Sequence, residues 1–545
     1  MTTTVVESLE RAAQTHGARP AIVIGQDRLT HAQVLHEAQR YARALAGQGI
    51  GAGDHVGILM PNCVQYLLLF YGCALIGARA VHFNARYRRE ELRYVLADSD
   101  VKVLFTSALE REFTDFAAML SDLYPALQTW RYGQSLKIDA APMLRGVFQF
   151  HDGARIDGAN GASWPGEPHF FEGAVPSEPP RLHDPEQIAL IMYTSGTTAH
   201  PKACLLSHRA LETTGRAMQQ RWNIDADDRL WDPLPFFHMS TMLPLAACRA
   251  AGALFIAQSR FEPAAALRDI VDERATILFP AFATLTNELF EHPLFDANKL
   301  TRVRVVNNVG PPDLLRRFAA RLPTATHVSA YGLTEAGGVA AFHELSDTPE
   351  QRADTCGRPF ENVQVRVVDP ETLEPLPAEA RGELQIRGPT LFSGYYKDTE
   401  KTRATLLPDG WLRTGDLGAL TGDGRIRYLG RIKDMLKVGG ENVAAIEIES
   451  HLCTHPGIKA AQVIGAPDDR LQEVAAAFIE LHAGVQLAPE DVIRHCIGSI
   501  ASYKIPRYVA FVTQWPMSAT KIQKFQLRAR LHEAVHIDPS RLAAV

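Results

Sequence analysis

Short apolar runs rich in Val and Ile alternate with longer amphipathic stretches, and this alternation leaves few architectures open. The runs His55–Met60, Val101–Thr106, Gln187–Tyr193, Ala275–Pro280 and Val303–Asn308 read as buried strands. Between such runs, segments such as Thr30–Gln48 and Arg88–Asp98 place apolar residues at helical spacing. Strand and helix in alternation imply an α/β fold of parallel sheets with helices on their faces. From Asn362 the texture changes to short strands and turns (VQVRVVD, GELQIRG, GRIRYLG), which predicts a small β-barrel-like subdomain. After Gly430 the helix–strand alternation resumes, so the expected organisation is a large domain over 1–430 and a small α+β domain over 431–545. His151–Pro185 is rich in Gly and Pro and lacks periodicity, so it reads as an irregular surface excursion.

Composition removes several function classes. A formal charge of −6 gives no electrostatic footprint for nucleic acid. The longest apolar stretch, Tyr66–Gly77, is far short of the roughly 20 residues that span a bilayer, and it suits a buried helix. The N-terminal residues have no apolar core of the kind a secretory signal needs. Seven scattered cysteines without a CxxC form no disulfide framework and fit reduced thiols in a cytoplasmic protein.

The most informative string is YTSGTTAHPK, Tyr193 to Lys202. It follows a strand-like run and offers small hydroxyl side chains, a glycine and a cation, the groups that converge on phosphate. Its spacing is not that of the GxxxxGK[ST] P-loop. Tyr331-Gly332-Leu333-Thr334-Glu335 sits at the end of a strand-like run, where ligands bind in α/β sheets. There Glu335 can hold Mg²⁺, with Thr334 on a phosphate oxygen and Tyr331 against a base. HExxH at His532–His536 lacks a third ligand and is not read as a zinc site.

YTSGTTxxPK resembles the signature loop of the adenylate-forming superfamily, in its acyl-CoA synthetase branch. The likeness continues, in the family's order, through PLPFFHM (Pro233–Met239), YGLTEA (Tyr331–Ala336), GWLRTGDLG (Gly410–Gly418), GRIKDMLKVGGENV (Gly430–Val443) and PMSATKIQK (Pro516–Lys524). The resemblance implies a phosphate loop of Thr194, Ser195, Gly196, Thr197, Thr198 and Lys202. It implies adenine contacts from Tyr331, Gly332 and the Gly310-Pro311-Pro312 turn, phosphate and metal roles for Thr334 and Glu335, and a ribose pair of Asp416 and Arg431. It puts Phe237, His238, Gly337 and Gly338 at the acyl pocket and makes Lys521 the cation of adenylation. Lys433 becomes the hinge, and Lys437, Gly439 and Gly440 the face that admits CoA. In the family the region of the HExxH string is the terminal helix.

The resemblance thus implies an enzyme that uses ATP, Mg²⁺ and CoA to convert a carboxylic acid, through an acyl-adenylate, into a thioester. Apolar and small pocket candidates, including Phe236, Met239 and Phe282, favour a hydrophobic acid: fatty, aromatic or alicyclic. Rival readings are an enzyme of the first half-reaction alone, one that passes its acyl group to a carrier protein or a downstream acyl-handling enzyme, and a non-catalytic AMP-binding protein. A homodimer is compatible with all of them. The chain departs from the family pattern at Ala199, Ala203 and Ala445, and the loop before Lys521 is one residue shorter. Lys524 is the other cation close to that loop.

Overall fold

A computed structural model describes residues 3–151, 164–175, 184–194, 201–438, 441–518 and 521–542. Two seven-stranded sheets form the large body. The first runs in the order Thr326–Val328, Val305–Val309, Ile277–Phe282, Arg229–Trp231, Leu254–Ala257, Pro20–Ile24, Asp27–Thr30. The second runs Gly394–Tyr395, Lys202–Ser207, Ile188–Thr194, Arg79–His82, His55–Leu59, Val101–Ser107, Gly146–Phe150. The expected strands and their parallel pairing are present, but both sheets are mixed at one edge. Asp27–Thr30 pairs antiparallel with Pro20–Ile24, because two intervening residues cannot make the long crossover that parallel strands require. Lys202–Ser207 likewise turns back antiparallel on Ile188–Thr194 and then pairs with Gly394–Tyr395.

The two sheets share one apolar core that includes Ile22, Val56, Leu67 and Leu243. The helix Val64–Ile76 is buried almost all round, as its unbroken apolar sequence requires. The expected surface excursion behaves differently where it is described. Trp164 and Phe170 are buried, and Phe170 closes on the rings of Phe105, Phe148 and Phe150. An aromatic pair in a six-residue helix, Glu167–Glu172, overrides the surrounding Gly and Pro.

The β-rich region is an open antiparallel ladder of Gln364–Val368, Gly382–Arg387, Leu412–Leu420 and Ile426–Arg431; no pairing closes it into a barrel among the described residues. Beyond it, the apolar clusters contain only residues from Leu436 onward, whereas the main core ends at Ile426. The last part of the chain therefore has its own core. Its sheet runs Glu441–Ala444, Met435–Val438, Gln472–Leu481, Tyr508–Phe511, Val535–His536, with Ile458–Asp468 on Gln472–Leu481. Phe170→Ala should lower the apparent unfolding free energy of the large body by about 3–5 kcal/mol, read as a lower urea midpoint. A change within about 0.5 kcal/mol would mean that the aromatic cluster does not support the body.

Candidate functional site

The site is built around a tight loop that follows the short strand Ala330–Tyr331. Its shape is set by backbone hydrogen bonds: Gly338 N–H donates to Leu333 O at 3.0 Å, and Ala340 N–H to Tyr331 O at 2.9 Å. The loop folds so closely that a Cβ on Gly332 would lie 2.2 Å from Gly338 O, which only glycine permits. Thr334 and Glu335 form a 3₁₀ turn at its tip and remain half-exposed, available to a ligand.

On one side of this loop lies a charge pair whose carboxylate is buried and whose guanidinium is partly exposed. Asp416 and Arg431 are register partners on adjacent antiparallel strands, and Arg431 Nε meets Asp416 Oδ1 at 2.8 Å. Tyr331 Oη donates to Asp416 Oδ2 at 2.8 Å, and Arg431 Nη1 donates to Thr414 O at 3.1 Å. Asp416 is 2% exposed, so its charge depends on these partners. Burial works against the Arg431 charge, but the Asp416 carboxylate outweighs it and raises the guanidinium pKa. Burial and the Asp416 charge push the Tyr331 hydroxyl well above the ordinary tyrosine range. The adenine and ribose candidates are thus one connected group, and the Tyr331 ring also lies against Tyr428, with centroids 5.9 Å apart.

On the other side, Tyr395 Oη donates to Glu335 Oε1 at 2.7 Å. Lys202 Nζ lies over the Tyr395 ring, 5.6 Å from its centroid. Burial and the nearby Lys401 charge lower the Lys202 pKa, while Glu335 acts in the opposite sense. Sheet pairing creates this meeting, because Tyr395↔Cys204 places Gly394–Tyr395 beside the strand that begins at Lys202. Tyr395 was missed in the sequence. The aromatic Gly394-Tyr395-Tyr396 string beside a strand-like run was the one available signal.

The acyl candidates also converge. His238 occupies the position before the helix Met239–Ala251, without a side-chain capping hydrogen bond, and the Phe237 ring lies edge-on to it at 4.8 Å. Gly337 and Gly338 have positive φ, and a Cβ on Gly338 would come within 3.0 Å of Met239 Cβ. Phe236 instead belongs to the core, edge-on to Tyr66. The Gly310-Pro311-Pro312 turn leaves the strand Val305–Val309 and starts the helix Pro312–Arg321. Thr194 ends its strand, with Oγ1 4.0 Å from Cys204 Sγ.

Several candidates lie elsewhere. Ser195, Gly196, Thr197, Thr198, Ala199, Gly439 and Gly440 fall outside the described residues, as does the side chain of Lys521, whose backbone forms a short hairpin strand. Lys433 sits in a 3₁₀ turn, its pKa lowered by burial despite Asp434, with Arg431 and Arg528 adding to the lowering. Lys437 is exposed on Met435–Val438, where its backbone N–H donates to Glu473 Oε2 at 2.9 Å. Lys524 is taken up by Glu449 at 2.6 Å. Ala203 lies within a strand and is not among the positive-φ residues, so no strain arises there. Ala445 begins the helix Ala445–Leu452 without the expected proline. His532 and His536 are not on a terminal helix: a 3₁₀ turn precedes the strand Val535–His536, which pairs with Tyr508–Val509. Among the described residues no group of three or more His, Cys, Asp or Glu side chains can hold a metal ion.

A hydroxyl and a carboxylate at a strand-end loop, flanked by an Asp–Arg pair and a lysine, define an adenylate-forming type of α/β enzyme. The family model described as AMP-binding enzyme matches residues 9–396, and that described as AMP-binding enzyme C-terminal domain matches 447–521. The putative acyl-CoA synthetase YngI of Bacillus subtilis (strain 168) is 34% identical, covering 99% of both chains. The mitochondrial medium-chain acyl-CoA ligase ACSF2 of Homo sapiens is 30% identical over 98% of this chain and 88% of its own. The anthranilate CoA ligase AuaEII in complex with anthranoyl-AMP superposes with a TM-score of 0.84 at 25% identity, covering 98% of both chains. ATP-bound MatB from Rhodopseudomonas palustris gives 0.81 at 25% identity over 96% and 98%. The chain belongs to the AMP-binding enzyme family, as an AMP-forming acid–thiol ligase.

Tyr395→Phe removes one hydrogen bond to Glu335 and keeps the ring under Lys202. A hydrogen bond to a charged group contributes about 1.5–3 kcal/mol, so carboxylate-dependent exchange of pyrophosphate into ATP should fall roughly 10- to 100-fold. The thermal midpoint should stay within about 2 °C of the parent, since a half-exposed carboxylate can turn to water. Parental exchange in this variant would show that Tyr395 does not orient Glu335.

Proposed function

We propose that the enzyme joins a hydrophobic carboxylic acid to CoA in two steps at one site. The acid's carboxylate attacks the α-phosphorus of ATP, expelling pyrophosphate and leaving an acyl-adenylate. CoA thiolate then attacks the acyl carbonyl, forming the thioester and releasing AMP. Near pH 7 the acid is already ionised, so the first step needs no general base; its obstacle is charge. At ~4 Å and an effective dielectric near 20, each pair of like unit charges costs about 4 kcal/mol.

The residues around Glu335 fit that problem, and their juxtaposition carries the proposal. Lys202 and Arg431 are the cations on either side of Glu335, and Arg431 lies within its electrostatic reach. One half-exposed carboxylate beside a hydroxyl suits Mg²⁺, which is commonly held by one or two carboxylates together with substrate phosphates. Bound there by Glu335, Mg²⁺ would neutralise phosphate charge. The Asp416–Arg431 pair would border the ribose, Tyr331 and the Gly310–Pro312 turn the adenine, and Thr334 the phosphate. Lys521 would bridge the acid's carboxylate and the α-phosphate during the first step.

The division at residue 430 gives the second step its own geometry. The small domain would turn about Lys433, withdrawing Lys521 and bringing up Lys437, Gly439 and Gly440 as the path for CoA. A separate apolar core supports this reading, because its packing need not change when the domain turns. A hydrophobic acid is supported by Phe237, Met239 and the two glycines at the pocket mouth. Names among the relatives span a medium-chain acyl-CoA ligase, an anthranilate CoA ligase and a ligase of a methylated dioxo-octahydroindenyl propanoate.

A panel of octanoate, benzoate and cyclohexanecarboxylate should give carboxylate-dependent pyrophosphate exchange with at least one acid, and CoA should then yield thioester with AMP. Cleavage of ATP to ADP instead would overturn the proposal, and adenylate without thioester would point to another acceptor. The two lysines separate the steps. Lys521→Ala should reduce exchange roughly 10²–10³-fold, the usual cost of losing one transition-state charge contact, yet still convert preformed adenylate to thioester. Lys437→Ala should do the reverse, and an equal loss of both steps in both variants would exclude alternating faces.

A further inference from the structure

The hairpin that carries Lys521 is too short to fix its own direction. It pairs through Met517↔Ile522 and Ser518↔Lys521, and Gln523 N–H donates to Pro516 O at 2.8 Å across its base. The helix Lys524–Ala529 follows at once. A lysine at the first residue of a helix gains nothing from the helix dipole, so its interactions must come from elsewhere. Lys524 turns its ammonium inward instead. Its Nζ donates to Glu449 Oε1 at 2.6 Å and to Val463 O at 3.1 Å, and the same Glu449 oxygen accepts Val463 N–H at 2.8 Å.

Both side chains are largely withdrawn from water, at 19% exposure for Lys524 and 12% for Glu449. Val463 lies on Ile458–Asp468, which among the described residues pairs with one strand, Gln472–Leu481. An edge strand presents unpaired N–H and C=O groups. Here one carboxylate and one ammonium take both. Three elements are thereby joined at one point: the helix Ala445–Leu452, the edge strand, and the helix that begins three residues after Lys521.

We propose that Glu449 and Lys524 are positioning residues that anchor the root of the hairpin and so fix the backbone position from which Lys521 serves the first step. The inference rests on the role given to Lys521 above. Because neither residue meets substrate, their loss acts on the placement of a cation and not on nucleotide binding. The anchor also excludes Lys524 as a substitute cation, since its charge is already matched inside the small domain.

The test uses the full-length enzyme and the acid of the panel that exchanges fastest, with its synthetic acyl-adenylate for the second step. Lys524→Met should lower pyrophosphate exchange roughly 10- to 100-fold, the scale of misplacing a reacting group by about 1 Å. The ATP KM should stay within about twofold, and conversion of acyl-adenylate to thioester within about threefold, because the lost interaction serves one transition state. Lys524→Arg keeps a charge-assisted pair and should return exchange to within about threefold of the parent. Glu449→Gln keeps the hydrogen-bond acceptor, loses the charge, and should shift exchange in the same direction as Lys524→Met; it serves if that variant does not fold. Unchanged exchange, an equal fall in both steps, or no rescue by arginine overturns the anchoring role. Lys521→Ala runs alongside: parental exchange in it brings down the lysine assignment and the anchor together. Loss of exchange there, with Lys524→Met unaffected, removes the anchor alone.

Discussion

A carboxylate almost sealed from water at Asp416 is the constraint on which the rest of the site depends. Removing such a group from solvent costs several kcal/mol unless its partners are placed well. Arg431 and Tyr331 supply the partners, one from the neighbouring strand and one from a loop 85 residues earlier. Meeting that requirement locks the Tyr331 loop to the four-stranded ladder. The position of Glu335 follows, because it lies four residues further round the same hydrogen-bonded turn. The last residue of the ladder, Arg431, is also the first step into the small domain. One buried charge thus registers the Tyr331 loop against the start of the last part of the chain.

The opposite wall of the site is held less by charge than by pairing. Gly394–Tyr395 extends the second sheet by two residues, and this is enough to set a tyrosine hydroxyl on Glu335 and a ring beneath Lys202. Lys202 is partly desolvated and faces another cation, which lowers its pKa and makes an incoming anion a favourable partner. The two walls therefore differ in kind: a satisfied ion pair that holds shape, and a cation still able to gain from phosphate. The small domain repeats the first device at Glu449 and Lys524, where buried opposite charges close the open edge of a strand.

Much of this was legible in the residues. The strands His55–Leu59, Val101–Ser107 and Ile188–Thr194 stand where Val- and Ile-rich runs put them, and the apolar stretch from Tyr66 lies in the buried helix Val64–Ile76, which ends before Gly77. Glu335, Asp416, Arg431 and Lys202 were nominated by motif, and the fold brings them into one group. Tyr395 was not: the Gly394-Tyr395-Tyr396 string marks an aromatic turn, but no local pattern names a partner 60 residues away. Phe170 was hidden by its neighbours: Gly and Pro describe the chain's turns but not the ring cluster that one aromatic can enter. The family resemblance erred in the other direction, since it implies a terminal helix where Val535–His536 pairs as a strand with Tyr508–Val509.

The kinds of element, their order and the chemical groups available to the site were readable from the residues alone, because these depend on side-chain periodicity and on residue identity. Even the separate core after residue 436 follows from a fresh run of alternating apolar segments. Tertiary structure decided which groups meet. Hydrogen bonding and ion pairing act over about 3 Å, and a chain brings residues 60 to 85 positions apart to that distance only after its sheets have chosen their registers. The open ladder in place of a barrel, the inward turn of Lys524, and the contact of Tyr395 with Glu335 all belong to that second level. Each depends on which backbone edge is left unpaired when the core has closed, and no local pattern of residues records that.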